Sequence, residues 1–256
     1  MFNTIHILYM VISAIITSAL LVLFHLKARD EEQKIRILRF FAIITVVIHI
    51  SSLWVDFFKT GEAIAQSVML LPIHPCNVCM WLLVIVSFYK DKRSIVYKLL
   101  SEFTFWAGTV CGSIGIIFNE NFASNPTLAD YDVLKGMLSH STMLLGCIYL
   151  LVSGFVRIRV SNVISVVAGL TLFVIDGAII NALYSIFDLP PCNSMYLLEV
   201  PFANMPWLNT LVIGIIGNLV CFAITAIYET ITLPSGERWY HRLFTKSEKP
   251  QLKSKK

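Results

Sequence analysis

A short proline-containing segment carries the side chains with the clearest chemical potential in this sequence. It reads Leu71-Pro72-Ile73-His74-Pro75-Cys76-Asn77-Val78-Cys79. A thiol becomes a nucleophile when a nearby base removes its proton, and histidine is a suitable base near neutral pH. Two such bases are candidates for Cys76, namely His74 in the same segment and His140 much further along the chain. We favour His140, because the members of a dyad usually come from different elements.

Polar residues on other predicted helices are expected at a depth similar to that of Cys76. Counting about 1.5 Å per residue from the predicted helix ends places His74 and Cys76 about 9 to 12 Å deep and His140 about 8 Å deep. The same count places Asp176 about 12 Å below the end of its own helix. Asp176 or Asn181 could then fix the tautomer of the imidazole, as the third member of a nucleophile triad does. The predicted catalytic residues are therefore Cys76, His140 and Asp176.

The elements that must position these residues are predicted to be membrane-spanning helices. Of the 256 residues, 57% are hydrophobic and 14% are charged, and the mean hydropathy is +0.74. This composition leaves too little polar surface to cover a water-soluble domain. Only helices and closed barrels satisfy their backbone groups in lipid, and the apolar stretches here have the length of helices. We therefore predict an all-α, polytopic membrane helix bundle.

Seven apolar stretches are long enough to cross a bilayer as helices. They are expected at Ile5–Leu26, Arg36–Phe58, Val68–Tyr89, Ile95–Phe118, Lys135–Val156, Arg159–Tyr184 and Leu208–Thr232. Together they predict a single seven-helix transmembrane domain over residues 1–240, followed by a basic cytoplasmic tail over residues 241–256.

The placement of lysine and arginine predicts the orientation of the bundle. The first connection between spans holds five basic residues, the third holds four, the fifth holds two and the tail holds seven, which makes 18 of the 20 in the chain. Only Lys59 and Lys135 fall on the other side. Because basic loops stay in the cytoplasm, we expect an outer N-terminus, a cytoplasmic C-terminus and a multi-pass protein of the cell membrane. The net positive charge then follows from topology and requires no nucleic acid as a partner.

Several short motifs resemble those of a known family. The Leu-Pro-x-His-x-Cys pattern that ends at Cys76, followed by His140 in the fifth predicted span, resembles the signature of the YwaF-like family of bacterial integral membrane proteins. The Asn-Ser-Met-Tyr-Leu loop at 193–197 is similar to that family's Asn-Tyr-x-x-Leu pattern. The sequence departs from the family at Pro75, where an aliphatic residue is usual, and at Asn77, where an acidic residue is common.

The resemblance implies an enzyme that acts on membrane phospholipids. YwaF-like proteins are related to an animal transmembrane acyltransferase of ether phospholipids, in which a cysteine and a histidine are the proposed catalytic pair. Carried over to this sequence, the nucleophile is Cys76 and the base is His140. The expected activity is acyl transfer or lipid hydrolysis, with no cofactor and no metal. The residues expected to contact the substrate are His74, Asn77, Asn181 and Asn193.

A second function also fits the cysteines. Cys76 and Cys79 form a C-x-x-C pair, and Cys192 lies in a later loop. An accessible pair with a further thiol is typical of membrane thiol-disulfide oxidoreductases. Those linked to quinones are, however, four-helix bundles with paired loop cysteines, whereas this chain has seven predicted spans and one loop cysteine.

A third function is non-catalytic, since polar residues inside predicted spans often mark the path of an ion or solute. The residues concerned are His49, Asp56, Asp176 and Asn218. Transporters often contain paired broken helices, and the sequence shows only one clearly broken helix. A transporter or binding protein therefore remains an alternative interpretation.

Overall fold

The computed structural model describes residues 2–61, 71–119, 121–122, 125–201 and 205–244. Within these residues the chain forms α-helices and short 3-10 turns, without a β-strand. The predicted all-α class is therefore confirmed, whereas residues 245–256 of the predicted tail lie outside the described residues. The α-helices are α1 (Thr4–Lys27), α2 (Glu31–Ile50), α3 (Ser52–Thr60), α4 (Pro75–Phe88), α5 (Ile95–Ile117), α6 (Tyr131–Val152), α7 (Ile164–Ile186), α8 (Thr210–Thr232) and α9 (Trp239–Phe244).

The described part of the chain contains six helices that are long and apolar enough to cross a membrane. They correspond to α1, α2 with α3, α5, α6, α7 and α8. By contrast, α4 is apolar but has 14 residues, which is about 21 Å and shorter than the hydrocarbon core of about 30 Å. The chain is a multi-pass helical membrane protein.

Polar residues begin most of the long helices. Each caps its helix by accepting a hydrogen bond from a backbone N–H of the first turn, which otherwise has no partner. This local chemistry sets where a helix starts within an apolar sequence that offers few other signals. The capping residues are Asn3, Asp30, Ser94, Asp130 and Asn209.

The third predicted span begins later than the sequence suggested. Its first residues, Val68–Leu70, lie outside the described residues, and residues 71–74 are not helical. His74 has an extended backbone, with φ −107° and ψ 151°. Proline restricts the residue before it to extended conformations and fits the first position of a helix, so Pro75 starts α4 instead of kinking a longer helix. Cys76 therefore lies in the first turn of α4, not deep within a helix.

Helices α2, α4, α5 and α6 form the central bundle. Their core is apolar and includes Phe41, Leu83 and Leu150, which are almost fully buried. Close approach of α5 to α6 depends on Gly112, because a Cβ there would lie 3.0 Å from Leu144 Cβ. This close packing fixes the depth of side chains on α6 relative to those on α5.

Helices α1 and α8 lie at the periphery of the bundle. The only buried side chains of α1 are His6 and Thr17, and those of α8 are Cys221, Thr225 and Glu229. About half of the other residues of these two helices are large, exposed hydrophobics. In a membrane these surfaces contact lipid, so the polar residues on the buried stripe of α8 face the rest of the bundle.

Successive long helices alternate in direction, which gives the bundle two distinct ends. At one end, His6 Nε2 of α1 lies 2.8 Å from the carbonyl oxygen of Ile116 in α5. At the other end, the start of α7 contacts the end of α8, since the Val160 N–H donates to Glu229 at 2.8 Å. We call the end at Glu229 the basic end, which is formed by residues 28–30, 89–94, 153–163 and 233–244. We call the end at His6 the loop end, which is formed by residues 118–119, 121–122, 125–130, 187–201 and 205–209.

An ion pair between a buried carboxylate and an exposed arginine joins α8 to α9 at the basic end. Glu229 is fully buried, and its carboxylate accepts hydrogen bonds from Arg242 Nη2 at 2.7 and 2.8 Å. Arg242→Ala leaves this buried carboxylate without its cation. We expect the substitution to lower the free energy of unfolding by about 2–3 kcal/mol, measured by denaturant unfolding in detergent and followed by circular dichroism.

An exposed ion pair at the same end supplies the control. Arg159 and Glu237 are 3.8 Å apart, and the Glu237 side chain is 62% exposed. Exposed pairs contribute little to stability, so Glu237→Ala should cost less than about 1 kcal/mol. Equal losses in the two variants would contradict a structural role for the pair at Glu229.

Candidate functional site

The start of α4 presents a thiol at the positive end of a helix dipole. His74 occupies the N-cap position, Pro75 is the first helical residue, and Cys76 follows it. The Cys76 side chain is half-buried, whereas Cys79, one turn further along, is fully buried. The N-terminal end of a helix stabilises an anion, including a thiolate. Cys76 is thus placed where a nucleophile is both reachable and electrostatically favoured.

Asn77 connects this thiol to the extended segment before α4. The Cys76 thiol donates to Asn77 Oδ1 at 3.3 Å, and Asn77 Nδ2 donates to the Leu71 carbonyl oxygen at 3.3 Å. Only 3% of Asn77 is exposed. Asn77 therefore positions the thiol and the preceding segment, and its predicted contact with substrate remains a prediction.

The second cysteine of the C-x-x-C pair belongs to a buried cluster of thiols. Cys79 lies beside Cys111 of α5. A Cβ at Gly108 would lie 2.3 Å from Cys147 Sγ and 3.8 Å from Cys79 Cβ, so α4, α5 and α6 meet at this level. All six cysteines are free thiols. The cluster fills the core beneath Cys76.

A connection between α7 and α8 covers the start of α4. We call residues 192–197 the latch loop. The Met195 N–H and the Ser194 hydroxyl both donate to the Ile73 carbonyl oxygen, at 2.9 and 3.0 Å. The aromatic ring of Tyr196 lies 5.7 Å from the imidazole of His74, centroid to centroid. The latch loop therefore forms one wall of the site around His74.

Asn181 of α7 holds the latch loop in place. Its Oδ1 accepts from the Ser194 N–H at 2.8 Å and from the Cys192 thiol at 3.4 Å, and its Nδ2 donates to the Ser194 carbonyl oxygen at 3.1 Å. Asn193 folds the loop on itself, because its Oδ1 accepts from the backbone N–H groups of Leu198 and Glu199 at 3.0 Å each. Both asparagine amides are used inside the protein, so their predicted substrate contacts remain predictions.

The latch loop also has an unusual backbone. Asn193, Met195 and Tyr196 all have positive φ angles, of 44°, 53° and 54°. Such angles are unfavourable for residues other than glycine and persist only where the surroundings enforce them, commonly near functional sites. Here the hydrogen bonds to Ile73 and Asn181 provide that enforcement.

His140 is held in one tautomer by its own helix. Its Nδ1 lies 2.7 Å from the Gly136 carbonyl oxygen, which can only accept a hydrogen bond. Nδ1 therefore carries the proton in the neutral ring, and Nε2 keeps its lone pair. The orienting role that we predicted for Asp176 or Asn181 is filled at Nδ1 by a backbone carbonyl. The neutral His140 ring thus has the tautomer that a general base requires, with the lone pair on Nε2.

A glycine on α5 accommodates the His140 ring. A Cβ at Gly115 would lie 2.0 Å from His140 Cδ2 and 2.3 Å from His140 Nε2. No side chain larger than hydrogen fits there without moving the imidazole. Sequence reasoning missed this residue, although the glycines at 108, 112 and 115 recur at the spacing of one helix face and indicate a close helix contact.

The relative depth of Cys76 and His140 follows from the contacts at Gly108. Cys79 and Cys147 both approach that glycine. Cys76 precedes Cys79 by three residues and His140 precedes Cys147 by seven. At about 1.5 Å per residue, the two side chains differ in depth by about 6 Å. Cys76 and His140 therefore lie in one region of the bundle. They are not in direct contact, because the described hydrogen bonds of His140 do not include one to Cys76.

Several buried side-chain oxygens have no hydrogen-bond partner in the described part of the chain. They include those of Thr109 of α5, Asp176 of α7 and Asn218 of α8. Because Gly169 of α7 packs on Phe103 of α5, Thr109 and Asp176 lie within about one helical turn of each other in depth. Unpaired buried oxygens are costly, so each of these three groups favours a polar partner.

The latch loop packs against α7 beside Asp176. A Cβ at Gly177, the neighbour of Asp176, would lie 2.8 Å from the Cβ and Cγ atoms of Met195. The Thr210 hydroxyl of α8 donates to the Tyr196 carbonyl oxygen at 2.7 Å. The loop thus bridges α4, α7 and α8 at the level where Asp176 lies.

Gly177→Ala should loosen the latch loop. The new methyl group requires Met195 to move, and overpacking of this kind costs about 1–3 kcal/mol. Because that cost favours local opening, we expect the Cys192 thiol to react with a water-soluble maleimide about tenfold faster. The rate of labelling, followed by mass spectrometry of the Cys192 peptide, measures this. Gly217→Ala, whose new methyl meets nothing within 4 Å, is the control and should leave the rate unchanged.

The residues that the structure describes contain no group of three side chains suited to hold a metal ion. The arrangement is that of a thiol at a helix N-terminus and a neutral imidazole, both towards the loop end. This set can carry out proton transfer and nucleophilic chemistry with protein groups alone.

Comparison with known proteins identifies the family. Residues 1–228 match the TMEM164 family, a range that runs from the N-terminus through most of α8. Neither the curated proteins nor the solved structures give a significant match to the chain. Since the family match covers most of the sequence and all the residues of the candidate site, the chain belongs to the TMEM164 family.

Proposed function

We propose that this protein is a membrane-embedded cysteine acyltransferase, or a lipid hydrolase, that acts on phospholipid acyl chains through Cys76 and His140. The observation that carries the proposal is the tautomer of His140, whose Nδ1–H donates to Gly136 and whose Nε2 is left to accept a proton. Cys76 in the first turn of α4 is the nucleophile. Membership of the TMEM164 family and the resemblance to YwaF-like proteins and the related ether-phospholipid acyltransferase support the same assignment.

The first half-reaction transfers the acyl chain to the protein. His140 Nε2 takes the proton of the Cys76 thiol, and the thiolate attacks the ester carbonyl carbon of the lipid. The carbon–sulfur bond forms as the ester carbon–oxygen bond breaks. The imidazolium returns its proton to the departing alkoxide, which leaves as the hydroxyl of a lysolipid, and a thioester remains on Cys76.

The second half-reaction releases the acyl chain. A hydroxyl of a second lipid, or water, gives its proton to His140 Nε2 and attacks the thioester carbonyl. The carbon–sulfur bond breaks, and the proton on His140 returns to the Cys76 thiolate. Transfer and hydrolysis thus differ only in the acceptor, and neither requires a cofactor.

The difference in depth between Cys76 and His140 sets how the proton moves. A separation of about 6 Å along the helix axes exceeds hydrogen-bond distance, so the transfer proceeds through one bridging water or after a small approach of α4 to α6. His74 is the competing base, because it lies beside Cys76 and contacts the latch loop through Tyr196. Separate His74→Ala and His140→Ala variants distinguish the two.

The buried oxygens of Asp176, Thr109 and Asn218 are the proposed partners of the lipid's polar atoms. The exposed apolar surfaces of α7 and α8 are proposed to contact the acyl chain. Asp176, which the sequence predicted as a residue that orients the imidazole, is here proposed to contact the acceptor hydroxyl instead. The first-turn amides of α4 and the side chain of Asn77 are the proposed oxyanion donors.

The proposed topology has seven spans, with α4 in the third. The first, third and fifth connections lie together at the basic end, as the charge distribution predicts for cytoplasmic loops. We therefore place the basic end in the cytoplasm, the N-terminus outside and the site towards the outer leaflet of the cell membrane. Cysteine accessibility labelling of intact cells at residues 30 and 193 tests this orientation.

Reconstitution tests the activity. Purified protein in vesicles that contain a phospholipid with a labelled acyl chain and an unlabelled lysolipid should produce labelled diacyl acceptor, or labelled fatty acid in hydrolysis. The absence of either product at all acyl chain lengths tested would contradict the proposal, provided that the protein is folded in the vesicles.

A thiol–disulfide oxidoreductase is the second candidate, favoured by one observation. A half-buried Cys76 at a helix N-terminus with a buried Cys79 three residues later is an arrangement that also suits thiol exchange. The two functions predict different effects of Cys79→Ala. Acyl transfer needs only Cys76 and should persist, whereas disulfide exchange between the pair should be lost.

A further inference from the structure

A cavity of about 340 Å³ opens at the basic end, far from the candidate site. It lies between the starts of α2 and α5 and the turn that follows α6. Four basic residues line it, together with Asp30 and Glu31. The basic residues are Arg29, Lys34, Lys92 and Arg93.

Three of the four basic side chains around this cavity are not engaged by other protein groups. Within the described residues, the side chains of Arg29, Lys34 and Arg93 form neither an ion pair nor a hydrogen bond. Asp30 uses its carboxylate to cap α2, since its Oδ1 accepts from the Gln33 N–H at 2.7 Å. Four basic against two acidic side chains leave the wall of the cavity with a net positive charge, which suits an anion.

A buried hydroxyl provides an independent sign of a ligand. Tyr97 is only 2% exposed, yet it lines the cavity and its hydroxyl has no hydrogen-bond partner. Lys92 Nζ lies 4.6 Å from the centre of its ring. A buried phenol without a partner is costly, and an anionic oxygen is the acceptor that satisfies it.

We propose that this cavity binds the phosphate group of an anionic phospholipid head group. Its position at the helix ends is the depth at which lipid phosphates lie. Arg29, Lys34 and Arg93 pair with the phosphate oxygens, and the Tyr97 hydroxyl donates to one of them. The inference does not rest on the acyl-transfer proposal, because none of these residues belongs to the candidate site.

Lys92 makes the binding dependent on pH. Its Nζ donates to the carbonyl oxygens of Val86 and Ser87 at the end of α4. Burial, followed by the nearby Arg39, lowers the pKa of Lys92 to about 8, against an opposing effect of Glu31. Below that pH the ammonium attracts the phosphate, and above it the attraction is lost. Affinity should therefore fall as pH rises from 7 to 9, since an anion favours the protonated lysine.

The test compares two triple variants with equal loss of charge. One is R29Q/K34Q/R93Q, which removes the cations of the cavity, and the other is K27Q/K90Q/K98Q, which removes three cations of the same end that do not line it. Binding of phosphatidylglycerol, phosphatidylcholine and inorganic phosphate to the purified full-length protein is measured separately by native mass spectrometry. Tyr97→Phe is the third variant, because it removes the hydroxyl and keeps the ring.

We expect the wild type and the control triple to retain phosphatidylglycerol, with at least tenfold weaker retention of phosphatidylcholine and of inorganic phosphate. The variant R29Q/K34Q/R93Q should bind phosphatidylglycerol at least about tenfold more weakly. Tyr97→Phe should weaken the binding about tenfold, which is the usual contribution of a hydrogen bond to a charged group. Equal losses in both triples would overturn the proposal, because general surface charge would then explain binding. Equal binding of phosphatidylcholine, or equal binding of inorganic phosphate alone, would overturn the assignment to an anionic lipid.

Discussion

Cys76→Ala is expected to reduce acyl transfer by at least about a thousandfold, because the substitution removes the atom on which the acyl chain is carried. The protein should remain folded, since Cys76 is half-buried and lies in the first turn of α4, outside the tightly packed core below it. Transfer of a labelled acyl chain between lipids in reconstituted vesicles measures the loss. Thermal unfolding of the same preparation checks that the fold is retained.

Two other cysteines serve as controls for this prediction. Cys192→Ala alters a half-buried thiol of the latch loop, and Cys79→Ala alters the other member of the C-x-x-C pair. Both should retain most of the activity, although the buried Cys79 position costs some stability. Full activity of Cys76→Ala would refute the thioester mechanism. Loss of acyl transfer in Cys79→Ala, with its fold intact, would contradict a mechanism that needs only Cys76.

Gly115→Ala is expected to reduce activity by about a hundredfold without removing any reactive group. The new Cβ would lie 2.0 Å from His140 Cδ2, so the imidazole must move by more than 1 Å. A displacement of this size in a catalytic base costs about a hundredfold in rate. The measured quantity is the rate of acyl transfer, and His140→Ala should show a loss at least as large.

Gly217→Ala is the matched control for the glycine substitution. It makes the same change in a membrane helix, but its new Cβ meets nothing within 4 Å. Glycine within a helix is usually less stable than alanine, so this variant should retain activity and gain up to about 1 kcal/mol in stability. If Gly115→Ala proved as active as Gly217→Ala, His140 would not be the base, and His74 would become the candidate.

The helical fold could be predicted from the sequence because its cause is local. Long apolar stretches can satisfy their backbone groups in lipid only as helices, and α1, α5 and α8 have nearly the predicted bounds. The start of α4 was predicted less well. A proline is compatible both with a kink inside a helix and with its first position, and only the extended backbone of His74 distinguishes the two.

The candidate site was only partly predictable, because its contacts join residues far apart in the chain. The sequence indicated that Cys76 and His140 share one half of the bundle, but not that Gly136 fixes the tautomer or that Gly115 accommodates the ring. Asn181 illustrates the limit. An asparagine in a span indicates a polar contact, but whether that contact is a substrate or the latch loop depends on how α7 packs.

The most direct test of the central proposal is to look for the acyl group on the protein. Wild-type protein in vesicles is incubated with phospholipid that carries an isotopically labelled acyl chain, quenched in acid, digested and examined by mass spectrometry. We predict that the peptide containing Cys76 gains the mass of that chain and loses it on treatment with neutral hydroxylamine, which cleaves thioesters. Formation of labelled lipid products while Cys76 remains unmodified at every time point would contradict the account.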